Sequence, residues 1–468
     1  MSYEEFGQLV DAYAAGFARA GVARGDFVGL ATTKSVHAIA AFFGAMQAGG
    51  CPCFMEARIS VDELVTRMGA VGMRMLVCDD PALMVSTASA LTTFGASVVA
   101  LDAVQAIGSF IDSTLTGDDR ALLLFTSGST GRPKGVLLSH ANLLCNAHGV
   151  AAHTQVTAAD RLLHVMPLHH TNGVNNQLIV PLLCGAQIVL IERFRADDIV
   201  DCLRRFEPTY VTGVPTMYSR MLPKLAAGER FPSLRFLRCG SAPITTSLHE
   251  EIEAAFGVPL LVSYGLSEAT CTSTMNPPSG RRIGSIGTVL DGQELALFKP
   301  GTDERVADGM EGEIRIRGAA LMLGYIGAEV ASPVVDGWLR SGDLGCFDDA
   351  GFVTITGRIK DVIIRGGENL SPGLIESYLQ THPSVRECCV IGTADADLGE
   401  VPVAFVVAKE GDAIEAVALQ EHVLHGLSRV YVPAHIHVLS ALPTGSMGKV
   451  DRNALKRMAN VATDVLAD

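Results

Sequence analysis

The stretch LLLFTSGSTGRPKGVLLSH, from Leu122 to His140, runs an apolar strand into a loop of Gly, Ser and Thr that closes on one Lys. Small residues such as Gly128 and Gly131 let backbone N–H groups surround an anion. The hydroxyls of Thr126, Ser127, Ser129 and Thr130 add donors, and Lys134 adds a charge. The spacing is not GxxxxGK[ST], so this is not the usual nucleoside-triphosphatase loop. A Gly/Ser/Thr turn alone is flexible punctuation as readily as a phosphate cradle, but the ten-residue run TSGSTGRPKG is far more specific.

Outward from this loop, apolar residues recur at helical spacing over residues 4–20, and Gly21 marks a stop before a short strand at 27–31. Apolar runs at 75–78, 97–101, 121–125, 187–191, 209–212 and 259–263 are separated by helical patterning, which predicts parallel sheets covered by helices. Residues 38–55 are apolar but broken by Gln47, Gly49, Gly50 and Pro52, so they read as a buried helix and turn, and no transmembrane segment is expected. Past Asn276 the texture becomes Gly-punctuated strands at 293–298, 313–317 and 352–356. From Arg358 a helix at 372–380 and strands at 388–391 and 403–407 form a smaller α+β unit. The expected fold is an α/β body over 1–358, with a β-rich subdomain at about 277–358, and a small mobile C-terminal domain over 359–468. Without repeats or a low-complexity linker, the junction near Lys360 reads as a short hinge.

The 468 residues are 48% hydrophobic and 18% charged, which excludes a disordered chain. A net charge of −14 argues against nucleic acid as a partner. The eleven Cys lack zinc-site spacing and read as reduced thiols. MSYEEFGQLV has no secretory pattern, so a cytoplasmic protein is expected.

Further motifs follow in order: MPLHHTNG (166–173), GSAPI (240–244), YGLSEAT (264–270), GEIRIRG (312–318), WLRSGDLG (338–345), GRIKDVIIRGGENLSP (357–372) and PTGSMGK (443–449). With the phosphate loop, these eight motifs over nearly the whole chain resemble the adenylate-forming superfamily: acyl-CoA synthetases, aryl-CoA ligases, firefly luciferase and the adenylation domains of peptide synthetases.

The resemblance implies ATP, Mg2+ and coenzyme A as cofactor and cosubstrates, and a carboxylic acid as the other partner. It assigns Tyr264, with Gly265, to adenine and Gly240, Ser241 and Ala242 to the opposite wall. Ser267 goes to the α-phosphate region, Glu268 and Thr130 to the metal, Asp343 to the ribose hydroxyls and, more weakly, Arg358 beside it. Each has a plain reading too: YGLSEAT as a solvated turn, Asp343 as a turn cap, Arg358 as a surface charge. His170 becomes an aromatic gate with His169 packed behind it, since no third ligand supports a metal there. Lys449, otherwise a solubilising charge near the C-terminus, becomes the catalytic cation of adenylation. The small domain then turns about Lys360, and Gly366 and Gly367 let coenzyme A pass close to the backbone.

The implied activity is acid–CoA ligation through an acyl-adenylate. The rivals are a stand-alone adenylating enzyme that loads a carrier protein or forms an amide, and a non-catalytic nucleotide sensor. TNGVNNQL lacks the Asp that amino-acid-activating relatives use to hold an amine. Ser replaces the commoner Thr at 129 and 267, keeping the hydroxyl. The chain opens at SYEEFGQL, a segment that family members reach only after some tens of residues. Part of the N-terminal subdomain is therefore expected to be missing, with its apolar surface exposed or covered in a homodimer. The acid is expected to lie along 170–177 and 211–217, near Cys239 and Leu266. That lining is largely apolar, with Asn172, Asn175 and Asn176, and suits a small or medium aliphatic or aromatic acid.

Overall fold

The computed structural model describes residues 1–56, 59–93, 95–126, 134–307, 309–327, 330–409, 411–444 and 450–465. The N-terminal part opens with the helix Tyr3–Arg19, whose start is fixed by a capping box between Ser2 and Glu5. A four-stranded parallel sheet follows, ordered Cys51–Phe54, Phe27–Ala31, Met75–Cys78, Ser97–Ala100. The apolar stretch 38–55 is the buried part of the helix Val36–Gln47 followed by the strand Cys51–Phe54. Among the described residues no helix is long and apolar enough to cross a membrane.

A second sheet has seven strands in the order Thr288–Val289, Thr274–Met275, Leu260–Tyr264, Phe236–Cys239, Tyr210–Gly213, Arg161–His164, Gln187–Leu190. The last five are mutually parallel and the first two antiparallel. The main core joins the two sheets: Val28, Leu30 and Val77 meet Leu162, Tyr210, Phe236 and Leu261 through Leu143, Ala147 and Val150 of the helix His140–Thr154. One wall of this core is a π-helix, Asn172–Ile179, buried along its whole length.

The strand expected at 121–125 is not parallel. Arg120–Thr126 pairs antiparallel with Lys134–Ser139, which also pairs antiparallel with Gly324–Ile326. Residues 127–133 are too few for a crossover, which takes about a dozen residues or more, so the chain can only return beside itself.

The β-rich part is a five-stranded antiparallel sheet of Gln293–Phe298, Gly312–Gly318, Trp338–Phe347, Val334–Val335 and Val353–Arg358. Its Leu295, Ile314, Ile316 and Val353 pack into the core beneath the seven-stranded sheet.

The C-terminal residues form a further sheet of Ile363–Arg365, Glu368–Leu370, Val385–Asp395, Gly399–Ala408 and His435–Leu439. One face packs on Ile375, Leu379, Leu419 and Val423 of the helices Pro372–Leu379 and Ala416–Gly426. The other face packs Phe405 and Val407 on Leu455 and Ala459 of the helix Arg452–Val465. Burial on both faces explains the unbroken apolar run at 403–407. Neither cluster shares a residue with the cores of the larger part.

Candidate active site

The C-terminal ends of adjacent parallel strands form the usual ligand edge of an α/β sheet. Phe236–Cys239 leads there into Gly240, Ser241 and Ala242, and its neighbour Leu260–Tyr264 leads into Gly265. Ser241 takes a left-handed backbone, φ 67°, which turns the GSAPI segment across the strand ends. Gly265 is required by contact: a Cβ there would lie 1.9 Å from the carbonyl oxygen of Cys271.

That close approach folds YGLSEAT back on itself. Ser267–Ala269 forms a single 3-10 turn, and Thr270 follows at φ 68°, ψ −59°. The N–H of Cys271 donates to the carbonyl of Ala269 at 2.8 Å, which makes this a γ-turn of the rare, strained hand. The buried Thr270 hydroxyl donates to the Ala320 carbonyl at 2.7 Å, and the Met322 N–H to the Glu268 carbonyl at 2.9 Å. These bonds fix the direction of Glu268.

Glu268 is the centre of three convergent side chains. The Tyr325 hydroxyl donates to its Oε1 at 2.7 Å, and the Lys134 ammonium stands 3.6 Å from the same oxygen. Lys134 also lies over the Tyr325 ring, 4.0 Å from its centroid. Strand pairing brings this about, because Tyr325 is opposite Val136 on the strand that begins with Lys134. Burial, and next Glu268, push the Tyr325 phenol above its ordinary pKa, so it remains a donor. Thr126 is paired in register with Lys134, and its hydroxyl donates to the Lys134 carbonyl at 3.4 Å. Ser127, Gly128, Ser129, Thr130 and Gly131 lie outside the described residues.

The second group is Tyr264, Asp343 and Arg358. Asp343 is 3% exposed. Its Oδ2 accepts from the Tyr264 hydroxyl at 2.7 Å, and its Oδ1 lies 2.8 Å from Arg358 Nε. Asp343 and Arg358 are cross-strand partners, which explains the spacing of two distant motifs. Burial, reinforced by Asp343, holds the Tyr264 phenol well above its usual pKa. Asp343→Ala is therefore expected to cost more than ligand contacts. ATP affinity should fall by about tenfold or more, and stability by about 1–3 kcal/mol, because the buried Tyr264 hydroxyl loses its acceptor. Titration calorimetry and thermal unfolding measure both, and unchanged ATP affinity on a folded variant refutes the ribose role.

His169 and His170 pack with 4.2 Å between ring centroids and their planes tilted by 55°. Burial lowers the His169 pKa, favouring a neutral ring. Among the described residues no cluster of three His, Cys, Asp or Glu is arranged for a metal. Magnesium needs no such cluster, since it usually keeps waters and takes one or two carboxylates with substrate phosphates. Glu268, beside the Lys134 hairpin, is a fitting donor.

The sequence reading missed Lys34, Tyr325 and Arg238. Lys34 donates to the Met166 carbonyl at 3.1 Å and stands 3.4 Å from His164 Nδ1, bracing the MPLHH segment from behind. Burial brings its pKa down to about 8, and that of His164 to about 3. Arg238 is buried within the strand Phe236–Cys239. A charged residue inside an apolar strand, FLRC, was the available signal.

Gly366 and Gly367 occupy the two-residue turn between Ile363–Arg365 and Glu368–Leu370, at φ 57° and 88°. Positive φ at both positions is what a tight hairpin turn demands, so the turn requires these glycines whatever passes beside them. Lys360 is exposed in the single turn Ile359–Asp361. Lys449 lies outside the described residues.

The model of the AMP-binding enzyme family matches residues 1–326, and that of the AMP-binding enzyme C-terminal domain matches 374–449. The chain is 37% identical over 340 residues to the sulfoacetate–CoA ligase of Cupriavidus necator, covering 72% of this chain and 66% of the ligase. It is 32% identical over 464 residues to a feruloyl-CoA synthase of an Amycolatopsis species, covering 98% and 94%. The structure of ATP-bound MatB from Rhodopseudomonas palustris superposes with a TM-score of 0.92 at 31% identity, covering 98% and 93%. Matched by family models in both its parts, and by CoA ligases along nearly its full length, the chain belongs to the AMP-binding enzyme family.

Proposed function

We propose a division of labour among these residues for the acid–CoA ligase reaction that the relatives support. Tyr264 and the Gly240–Ala242 backbone hold the adenine, and Asp343 with Arg358 takes the ribose hydroxyls. Thr126 and Lys134 frame the triphosphate. Glu268 holds magnesium, which when bound neutralises phosphate charge. His170 orients the acid so that its carboxylate oxygen attacks the α-phosphorus. The new O–P bond makes the acyl-adenylate, and the P–O bond to pyrophosphate breaks. Lys449 stabilises the charge that builds during that attack. The CoA thiolate then attacks the acyl carbon, forming the C–S bond and releasing AMP. Gly366 and Gly367 lie along the CoA path.

The observation that supports this reading best is the convergence of Glu268, Lys134 and Tyr325 near the same strand ends as Tyr264 and Asp343. The test is pyrophosphate and AMP release over an acid panel, with and without CoA. Acid-dependent pyrophosphate with CoA-dependent thioester is expected, and adenylate without thioester would point to another acceptor.

Lys360 is the proposed pivot, at the boundary between 1–358 and 359–468. Fixing φ with Lys360→Pro is expected to spare adenylation and to slow thioester formation by about tenfold or more, since only the second step needs the rotated state. Equal losses in both steps would refute the pivot.

A reducing, cytoplasmic setting is supported by the eleven cysteines, all of them free thiols. The homodimer reading predicts twice the chain mass in light scattering.

A further inference from the structure

Arg238 sits in the middle of the seven-stranded sheet, with Thr212 beside it on one strand and Leu261 on the other. It is 1% exposed, and its Nε and Nη2 have no hydrogen-bond partner. Among the described residues the groups that raise its pKa are the Cys271 thiol and the phenols of Tyr210 and Tyr218, while His153 also feels its charge and is itself held towards the neutral form by burial; no carboxylate is among them. Burial raises the pKa of the thiol and both phenols, so they stay neutral and none is a counter-ion. A buried guanidinium stays protonated, and left unpaired it is among the costliest groups a fold can carry.

The same chain shows what a structural buried arginine looks like. Arg315, 2% exposed, pairs with Glu313 at 2.9 Å and Asp303 at 2.8 Å and donates to the Thr302 carbonyl. Arg238 has no such set, and its position is informative. It comes one residue before Cys239 and two before the Gly240–Ala242 segment. The Cys271 thiol that bears on it accepts from Asn176 Nδ2 at 3.1 Å and is also bonded by Thr171, the residue after His170. His170, Thr171 and Cys271 are all partly exposed, and Thr171 and Asn176, which contact the Cys271 thiol, both belong to the stretch 170–177 expected to line the acid. The Thr212 hydroxyl, beside Arg238 in register, is also buried without a partner. A buried cation and a spare hydroxyl thus adjoin residues of the two stretches expected to line the acid, 170–177 and 211–217.

We propose that Arg238 is the counter-ion for a second anionic group on the acid. The substrate class is then a short acid with a carboxylate or sulfonate remote from the carboxylate that is adenylated. This rests on the acid–CoA ligase reading above. The Thr212 hydroxyl donates to the same remote group, and Arg238 determines specificity without touching the reacting atoms.

The test measures pyrophosphate release by the full chain with malonate, succinate and sulfoacetate, each against a singly charged acid of similar length: propionate, butyrate or succinamate. The wild type is expected to favour the doubly charged acids in kcat/KM by about 10²-fold, the scale of a desolvated charge pair. Arg238→Met should erase that preference through KM, and Arg238→Lys should keep part of it. Without acid, the Met variant should unfold at or above the wild-type temperature, because an apolar side chain replaces an uncompensated buried charge. A merely structural Arg238 would instead make it unfold lower. Equal or better use of singly charged acids by the wild type, or a preference that survives in the Met variant, overturns the proposal. Those results leave the ligase reading intact, whereas no pyrophosphate from any acid sinks both. The ranking of malonate and succinate against sulfoacetate tells which anion the site prefers.

Discussion

Lys449→Ala is expected to slow acyl-adenylate formation by about 10²-fold or more, the loss seen when one preorganised transition-state donor is removed. The carboxylate, the α-phosphate and the departing pyrophosphate crowd negative charge into one place, and Lys134 and Glu268 already neutralise one another at 3.6 Å. A further fixed cation at the attack itself would add to the charge neutralisation that magnesium supplies. PTGSMGK offers Lys449 as its one basic residue, after Gly445 and Gly448, which free the backbone ahead of it. If this Lys leaves before CoA arrives, the variant supplied with preformed acyl-adenylate should make thioester at a near-normal rate. Two rates on one protein decide the matter. Normal pyrophosphate exchange refutes the role, and an equal collapse of both rates means that the residue acts in both steps or supports the fold.

Glu268→Gln is expected to lower adenylation by about 10²–10³-fold, because the change removes the carboxylate that would hold the metal against the phosphates. The amide keeps an oxygen for the Tyr325 hydroxyl, so the fold should survive. The loss should be partly recovered by raising magnesium, with the half-saturating concentration moved upward. A variant as slow as expected but with unchanged magnesium dependence would assign Glu268 to holding Lys134 and Tyr325 instead. Tyr325→Phe separates these roles, since it removes the 2.7 Å bond while leaving the carboxylate charge.

The parts of the site that were legible in the sequence sit within single motifs. Tyr264, Glu268, Asp343 and Lys134 each lie in a short run whose residue types suit a nucleotide, and the chain folds each run locally. What escaped depends on pairing between distant segments. Tyr325 stands 57 residues from Glu268 and reaches it only because Gly324–Ile326 joins the hairpin of Lys134. The hairpin was itself misread as part of a parallel sheet, since an apolar run shows that a strand is buried but not which way its neighbour runs. Arg238 was visible as a charge among apolar residues, yet its lack of a partner is a property of three adjacent strands. The burial of Asp343 was likewise hidden, and with it the stability that its loss should cost.

The two-faced core of the C-terminal unit bears on how a catalytic cycle can be driven. Its two apolar clusters close within the unit, and its links to the larger part include polar ones, such as the Ser371 hydroxyl on the Thr356 carbonyl. Reorienting such a unit leaves both of its apolar clusters intact, so two orientations can lie close in free energy. A poised balance of that kind is tipped by modest differences in ligand affinity, on the order of a few kcal/mol for a nearly complete switch. An exchange of pyrophosphate for CoA that favours one orientation by that much would let the contents of the pocket act as the clock that times each half of the reaction.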